Sequence, residues 1–172
     1  MISLVRPVFG KKEKQLINEV IDSGIIASGK YVEQFEQKFA KLSDAKFGVA
    51  CSNGTTALHT ALLACGIKAG DKVITTPFTF IATSNSILYC GAEPVFADID
   101  PKTYNIDPQS VEKILKKQKI KAVICVHLYG LPCDMDALLK LKKKYKFALI
   151  EDSCQAHLAK YKSKTVGAIA DA

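Results

Sequence analysis

The stretch DKVITTPFTFIATSNSILYCGAEPVFADI, residues 71–99, decides the fold class. It opens on a short apolar run, DKVITT, and passes through FTFIATSNSILYCG, which reads as a helix closed by Gly91. It ends on a second apolar run, EPVFADI. Two strands joined by a helix cannot form a hairpin; they become parallel neighbours linked by a right-handed crossover.

Working outward, the alternation continues in both directions. Downstream, a helix runs from about Pro108 to Lys117 with Asp107 as its cap, followed by the strand KAVICVHL, the helix MDALLKLKKKY and the strand FALIED. Upstream, TTALHTALLACG reads as a helix closed by Gly66, and FGVACS as a short strand before it. Two further helices are expected, YVEQFEQKFAKL and KKEKQLINEVIDSG, the latter ending at Gly24. The strands are continuous apolar runs, the pattern of burial on both faces. The expected fold is α/β, a mostly parallel sheet with helices on both faces. In such sheets ligands bind beyond the carboxyl ends of the strands. That singles out Ser52-Asn53-Gly54-Thr55-Thr56, the loop before Phe78 to Phe80, and Glu151-Asp152.

Composition narrows the function class. With 172 residues, 48% hydrophobic and 24% charged, the chain carries enough apolar material for one globular core and is neither disordered nor collagen-like. No apolar run approaches the ~18 residues a membrane span requires. The opening MISLVRPVFGKKEK lacks the basic-then-apolar order of an export signal, so a cytoplasmic protein is expected. Six cysteines lie mostly in apolar runs without a C-x-x-C pair, which suits buried free thiols and argues against a zinc site. The net charge of +7 raises a nucleic-acid role. Against it, Arg6 is the only arginine, the lysines are dispersed, and the run Lys140 to Lys146 has the spacing of a solvated helix face.

Individual motifs carry chemistry unequally. Gly24 to Lys30 has Walker A spacing, but Tyr31 stands where the magnesium-binding hydroxyl belongs, and a helix rather than a strand precedes it. No G-x-G-x-x-G is present. Ser52-Asn53-Gly54-Thr55-Thr56 leads from a strand into a helix, where it either caps that helix or offers its N–H groups to an anion. Asp152 closes a buried strand, a costly place for a carboxylate that lacks a cation or strong donor; it either caps the next helix or serves a ligand. Gln155 can turn its amide to the same ligand. Phe80 either stacks on a flat ring or packs in the core. His127 lies at a strand end and can approach the site, whereas His59 on its helix reads as structural and His157 as isolated.

Taken in order, IDSGIIASGKYVEQFEQKFA, SNGTTALH, GDKVITTPFTFIATSNSI, GAEPVFADID, VHLYGLPCDMDAL and IEDSCQAH resemble the pyridoxal-phosphate-dependent sugar aminotransferases of the DegT/DnrJ/StrS family. The resemblance covers essentially the whole chain. It implies the large domain of a fold-type I transferase and pyridoxal 5′-phosphate as cofactor. Asp152 would pair with the pyridine nitrogen and so keep the ring an electron sink. Gly54, Thr55 and Thr56 would hold the 5′-phosphate, Phe80 would stack on the ring, and Gln155 would hydrogen-bond the ring's 3′-oxygen. The family further implies a nucleotide-linked keto-sugar as substrate, glutamate as amino donor, and a homodimer making amino sugars for surface polysaccharides. No metal, nucleic acid or membrane partner is implied.

The resemblance stops short of the family's Schiff-base lysine. That lysine belongs downstream of the segment found here as Gly167-Ala168-Ile169-Ala170-Asp171, and the sequence ends at Ala172. Lys160, Lys162 and Lys164 match the polar connection after the aspartate and are not its equivalents. The expectation is that residues 1–172 are the N-terminal part of the large domain, without the small C-terminal domain. Such a chain would bind the cofactor weakly and catalyse no transamination alone. A dehydratase of the same family and a non-catalytic binding module remain as alternative readings.

Overall fold

Residues 6–172 are described in the computed structural model. Two helices lead, α1 (Lys11–Asp22) and α2 (Lys30–Leu42), followed by α3 (Gly54–Ala64). Alternation then sets in: β1 (Lys72–Thr75), α4 (Ala82–Tyr89), β2 (Glu93–Phe96), α5 (Pro108–Leu115), β3 (Ala122–Val126), α6 (Met135–Tyr145) and β4 (Ala148–Asp152). A two-stranded hairpin of β5 (Lys160–Tyr161) and β6 (Lys164–Thr165) completes the elements.

The four longer strands form one parallel sheet in the order β2-β1-β3-β4. Side chains alternate across it and build two cores. Val73, Ala122, Ile124 and Ile150 pack with Leu58 and Leu62 of α3 and Ile87 of α4. Ile74, Val123, Cys125 and Leu149 pack on the opposite face with Val111 and Leu115 of α5 and Leu138 and Leu141 of α6. Each aliphatic side chain so buried contributes about 1.5–3 kcal/mol. The expected two-layer cover is therefore present. α6 runs over the residues expected from MDALLKLKKKY. Its lysines stay at the solvent side, where Lys142 pairs with Asp171 and Lys144 with Glu112. Asp107 caps α5 as expected, accepting from the N–H groups of Gln109 and Ser110.

Four expectations are corrected. FGVACS forms no strand: Phe47 and Val49 are exposed, and none of residues 47–52 has a ladder partner among the described residues. A strand is defined by its neighbour, and here none lies alongside. The helix expected from Phe78 begins only at Ala82, because Thr76 Oγ1 accepts the Phe78 N–H and holds residues 76–78 in a turn. β2 is not buried on both faces; it is an edge strand, with Glu93 and Phe96 exposed. All six cysteines are free, but Cys51 and Cys154 are exposed and Cys65 is half-buried.

Candidate functional site

The carboxyl ends of β1, β3 and β4 open at one end of the sheet, where three connecting loops converge. β3 and β4 run in register, with Cys125 level with Glu151 and Val126 level with Asp152. Alternation therefore turns the two acids to opposite faces. Asp152, only 6% exposed, turns toward α4. Its Oδ2 accepts the Thr83 hydroxyl at 2.8 Å and its Oδ1 accepts the Cys154 N–H at 3.3 Å. A carboxylate offers about four lone-pair sites, so roughly half of this one's capacity is open.

Beside it lies a cleft of about 320 Å³, walled by Pro77, Phe78, Thr79 and Phe80 after β1, Leu128 and Tyr129 after β3, and Gln155 after β4. Phe80 presents an exposed ring to it. The backbone of Tyr129 is left-handed, with φ 49° and ψ 30°. Its N–H donates to Gln155 Oε1 at 3.0 Å. With the amide oxygen so engaged, Gln155 has its NH₂ group left to give to a ligand. Asp152 does not line the cleft, but a pair of hydroxyls joins it to the wall: Thr79 Oγ1 lies 3.1 Å from Thr83 Oγ1.

The start of α3 is capped, one of the two roles expected of it. Asn53 Oδ1 accepts the Thr56 N–H at 3.0 Å, and Thr56 Oγ1 is bonded to the Asn53 carbonyl and N–H. Those groups cap the helix. The N–H groups of Gly54 and Thr55 have no partner within the described chain, and they point out of the positive end of the helix dipole. Thr56, tied into the cap, is thus the least available of the three expected phosphate ligands. Gly54 is also where α3 meets the loop after β4, since a Cβ there would lie 2.7 Å from Cys154 Sγ. Although Cys154 is an exposed residue, its Sγ sits against Gly54, and that partial desolvation, reinforced by the Asp152 charge, pushes the thiol up to about 11. It stays protonated at neutral pH and is no nucleophile.

The structure thus gathers Phe80 and Gln155 in one cleft, sets Asp152 behind its wall, and packs Gly54 against Cys154. It does not bring in the histidines. His127 is fully buried, between Glu151 Oε2 at 3.0 Å and the Cys133 N–H at 3.0 Å. His59 packs against Tyr89 and His157 against Phe39. Lys160, Lys162 and Lys164 lie on the β5–β6 hairpin, where Lys162 pairs with Asp136, and no lysine lines the cleft. Among the described residues no cluster of three or more His, Cys, Asp or Glu side chains could hold a metal ion. Thr79, Thr83 and Tyr129 went unnoticed in the sequence. The only local signal was Thr79 and Thr83 four apart in an otherwise apolar segment.

Comparison with known proteins bears on what such a site is for. The profile of the DegT/DnrJ/EryC1/StrS aminotransferase family matches residues 7–172. A GDP-perosamine synthase of Escherichia coli O157:H7 is 44% identical over 171 residues, which is 99% of this chain and 47% of that protein. The crystal structure of an aminotransferase from Psychrobacter cryohalolentis superposes with a TM-score of 0.90 at 44% identity, covering 95% of this chain and 42% of that one. NtdA from Bacillus subtilis, solved with the cofactor PMP bound, superposes with a TM-score of 0.81 at 36% identity, over 87% of this chain and 35% of that one. The chain spans about half the length of the curated relatives it matches.

Proposed function

The chain belongs to the DegT/DnrJ/EryC1/StrS aminotransferase family, and from that premise we propose that it forms the cofactor-binding part of a pyridoxal 5′-phosphate-dependent aminotransferase acting on a nucleotide-linked keto-sugar. The observation that carries this reading is the half-satisfied, buried Asp152 behind a cleft lined by Phe80 and Gln155. The residues fit the cofactor's three polar features. Asp152 has lone pairs free for a protonated ring nitrogen. Gln155 has an NH₂ group free for a ring oxygen. Gly54 and Thr55 have N–H groups free for a phosphate. When bound, the cofactor supplies an electron-withdrawing ring that carries the amino group and stabilises negative charge on the substrate carbon.

Each residue's task then follows from its chemistry. Asp152 holds the proton on the ring nitrogen, because a buried anion favours the charged form of its partner. Phe80 covers a face of the ring and excludes water from it. Gln155, fixed through the Tyr129 N–H, sets the ring's rotation within the cleft. No lysine lines the cleft, so these 172 residues bind the cofactor without a covalent link and turn over no substrate by themselves. The GDP-perosamine synthase relationship supports a nucleotide-sugar substrate; glutamate as amino donor and amino sugars for surface polysaccharides as the product's use complete the proposal. Exposed Ile17, Ile21, Phe35 and Leu42 on α1 and α2 support assembly as a homodimer.

Pyridoxamine 5′-phosphate tests the reading cleanly, because it lacks the aldehyde that would label surface lysines. Fluorescence titration should show saturable one-to-one binding, weakened by about tenfold to a hundredfold in Asp152→Asn, the value of a hydrogen bond to a charged group. Binding that ignores this substitution would refute the assignment.

A further inference from the structure

Helix α4 buries three hydroxyls, those of Thr83, Ser84 and Ser86. Ser84 and Ser86 satisfy themselves locally, donating to the carbonyls of Ile81 and Thr83 three residues back. That is the ordinary way a buried helical hydroxyl finds a partner. Thr83 departs from it. Its hydroxyl crosses from the helix to the sheet and donates to Asp152 Oδ2 at 2.8 Å, although the two residues are 69 positions apart.

The direction of the next bond follows from counting protons. Thr83 has one hydroxyl proton, and it is committed to a carboxylate oxygen that can only accept. In the 3.1 Å contact between Thr79 and Thr83, Thr79 must therefore be the donor. The chain runs one way, Thr79 O–H to Thr83 O–H to Asp152, and each bond polarises the next. It begins at the wall of the cleft, which Thr79 lines, and ends on the carboxylate.

A carboxylate needs such support because its terminal torsion is broad and roughly two-fold, so an unheld group samples many orientations. The other donor on Asp152, the Cys154 N–H, is long at 3.3 Å and only two residues away. We infer that Thr83 is the positioning residue for Asp152, its hydroxyl fixing the rotation at which the carboxylate presents its free lone pairs to the ring nitrogen of a bound cofactor. This rests on the cofactor reading above, and its test separates the two.

The test compares the wild-type chain with Thr83→Val, which keeps shape and removes the donor, and Thr83→Ser, which restores it. Pyridoxamine 5′-phosphate should bind about tenfold more weakly to the valine variant, while the serine variant stays within about threefold of wild type. A merely structural threonine would not be rescued in this way. Asp-13Cγ labelling gives a reading without cofactor: the Asp152 resonance, assigned through Asp152→Asn, should move in Thr83→Val and return in Thr83→Ser. If wild type binds no cofactor, the cofactor reading falls and with it the role toward the ring, while the carbon resonance still decides whether Thr83 holds the carboxylate. Wild-type binding matched by Thr83→Val, or an unmoved resonance, overturns the inference. Should Thr83→Val fail to fold, Thr79→Val replaces it, with a weakening of about threefold expected and none counting against the chain.

Discussion

Glu151 and Asp152 are neighbours at the end of one strand, equally buried at 7% and 6% exposure, yet they live in opposite electrostatic circumstances. Glu151 is saturated. Its Oε1 accepts the N–H groups of Ile169 and Ala170 at 2.8 and 2.7 Å, and its Oε2 accepts Gly167 N–H at 2.9 Å and His127 Nε2 at 3.0 Å. Asp152 has two donors, one of them long. Burial disfavours an imidazolium at His127 and is outweighed by Cys133 and Glu151, which raise its pKa, but an imidazolium needs both ring nitrogens as donors. The Cys133 N–H aimed at Nδ1 decides for the neutral ring, since protonating Nδ1 would set two donors head to head. The ring proton therefore sits on Nε2 and completes the set around Glu151. A buried acid with every lone pair engaged is scaffolding; one with capacity to spare is available to a ligand.

The comparison breaks most visibly at Glu151. Glu151→Ala strands three main-chain N–H groups and an imidazole N–H, each costing about 1–3 kcal/mol when buried without a partner. Urea unfolding should show a loss of about 3 kcal/mol or more, and a loss under about 1 kcal/mol would mean that the hub is not scaffolding. The acid limb sharpens this. Burial by itself would raise the Glu151 pKa, but the bonds from His127, Gly167, Ala170 and Ile169 outweigh it and hold the group below its ordinary 4.5. A depressed folded-state pKa contributes stability that is complete above the unfolded value and is lost as pH falls through the folded one. Wild type should therefore weaken as pH drops below about 4.5, and Glu151→Gln should lose less over the same interval.

Asp152→Asn should answer differently in the same unfolding assay, with a change under about 1 kcal/mol. The reason lies in what the donors can do. Thr83's hydroxyl can reverse and accept from the new amide, while the asparagine oxygen turns to the Cys154 N–H. The main-chain groups around Glu151 have no such freedom. If Asp152→Asn destabilised the chain as much as Glu151→Ala, the contrast between hub and site would collapse.

The same contrast explains what was legible in the sequence. α6 is legible to its last residue, because helical periodicity is a local signal. Asp152 stands out because strand ends in a parallel sheet are where sites form, whereas Gly54 to Thr56 stand out on the same ground although the strand expected before them does not form. FGVACS misled because its apolar run resembles a strand, while strand formation depends on a neighbour that local pattern does not reveal. The supports of the site were invisible for a related reason. Thr83 meets Asp152 across 69 positions, and Glu151 meets His127 across 24 and Ile169 across 18. Polar pairings over such separations leave no period to read.

The distinction between satisfied and spare groups extends to the start of α3. Asn53 is spent on the cap, whereas the Gly54 and Thr55 N–H groups are free. Asn53→Ala should cost about 1 kcal/mol of unfolding free energy. It should leave pyridoxamine 5′-phosphate affinity within about threefold of wild type, because the groups that meet a phosphate are unchanged. Gly54→Ala makes the opposite trade. Its new Cβ would stand 2.7 Å from Cys154 Sγ, so either the thiol turns away or α3 shifts from the loop after β4, and in both cases the change falls beside the free N–H groups. Overpacking of this kind costs about 1–3 kcal/mol, and here it falls on the geometry of the site. If Asn53→Ala weakened phosphate-dependent binding more than Gly54→Ala did, the cap and the cradle would be one structure, and the rule that spare donors mark the site would fail at this helix.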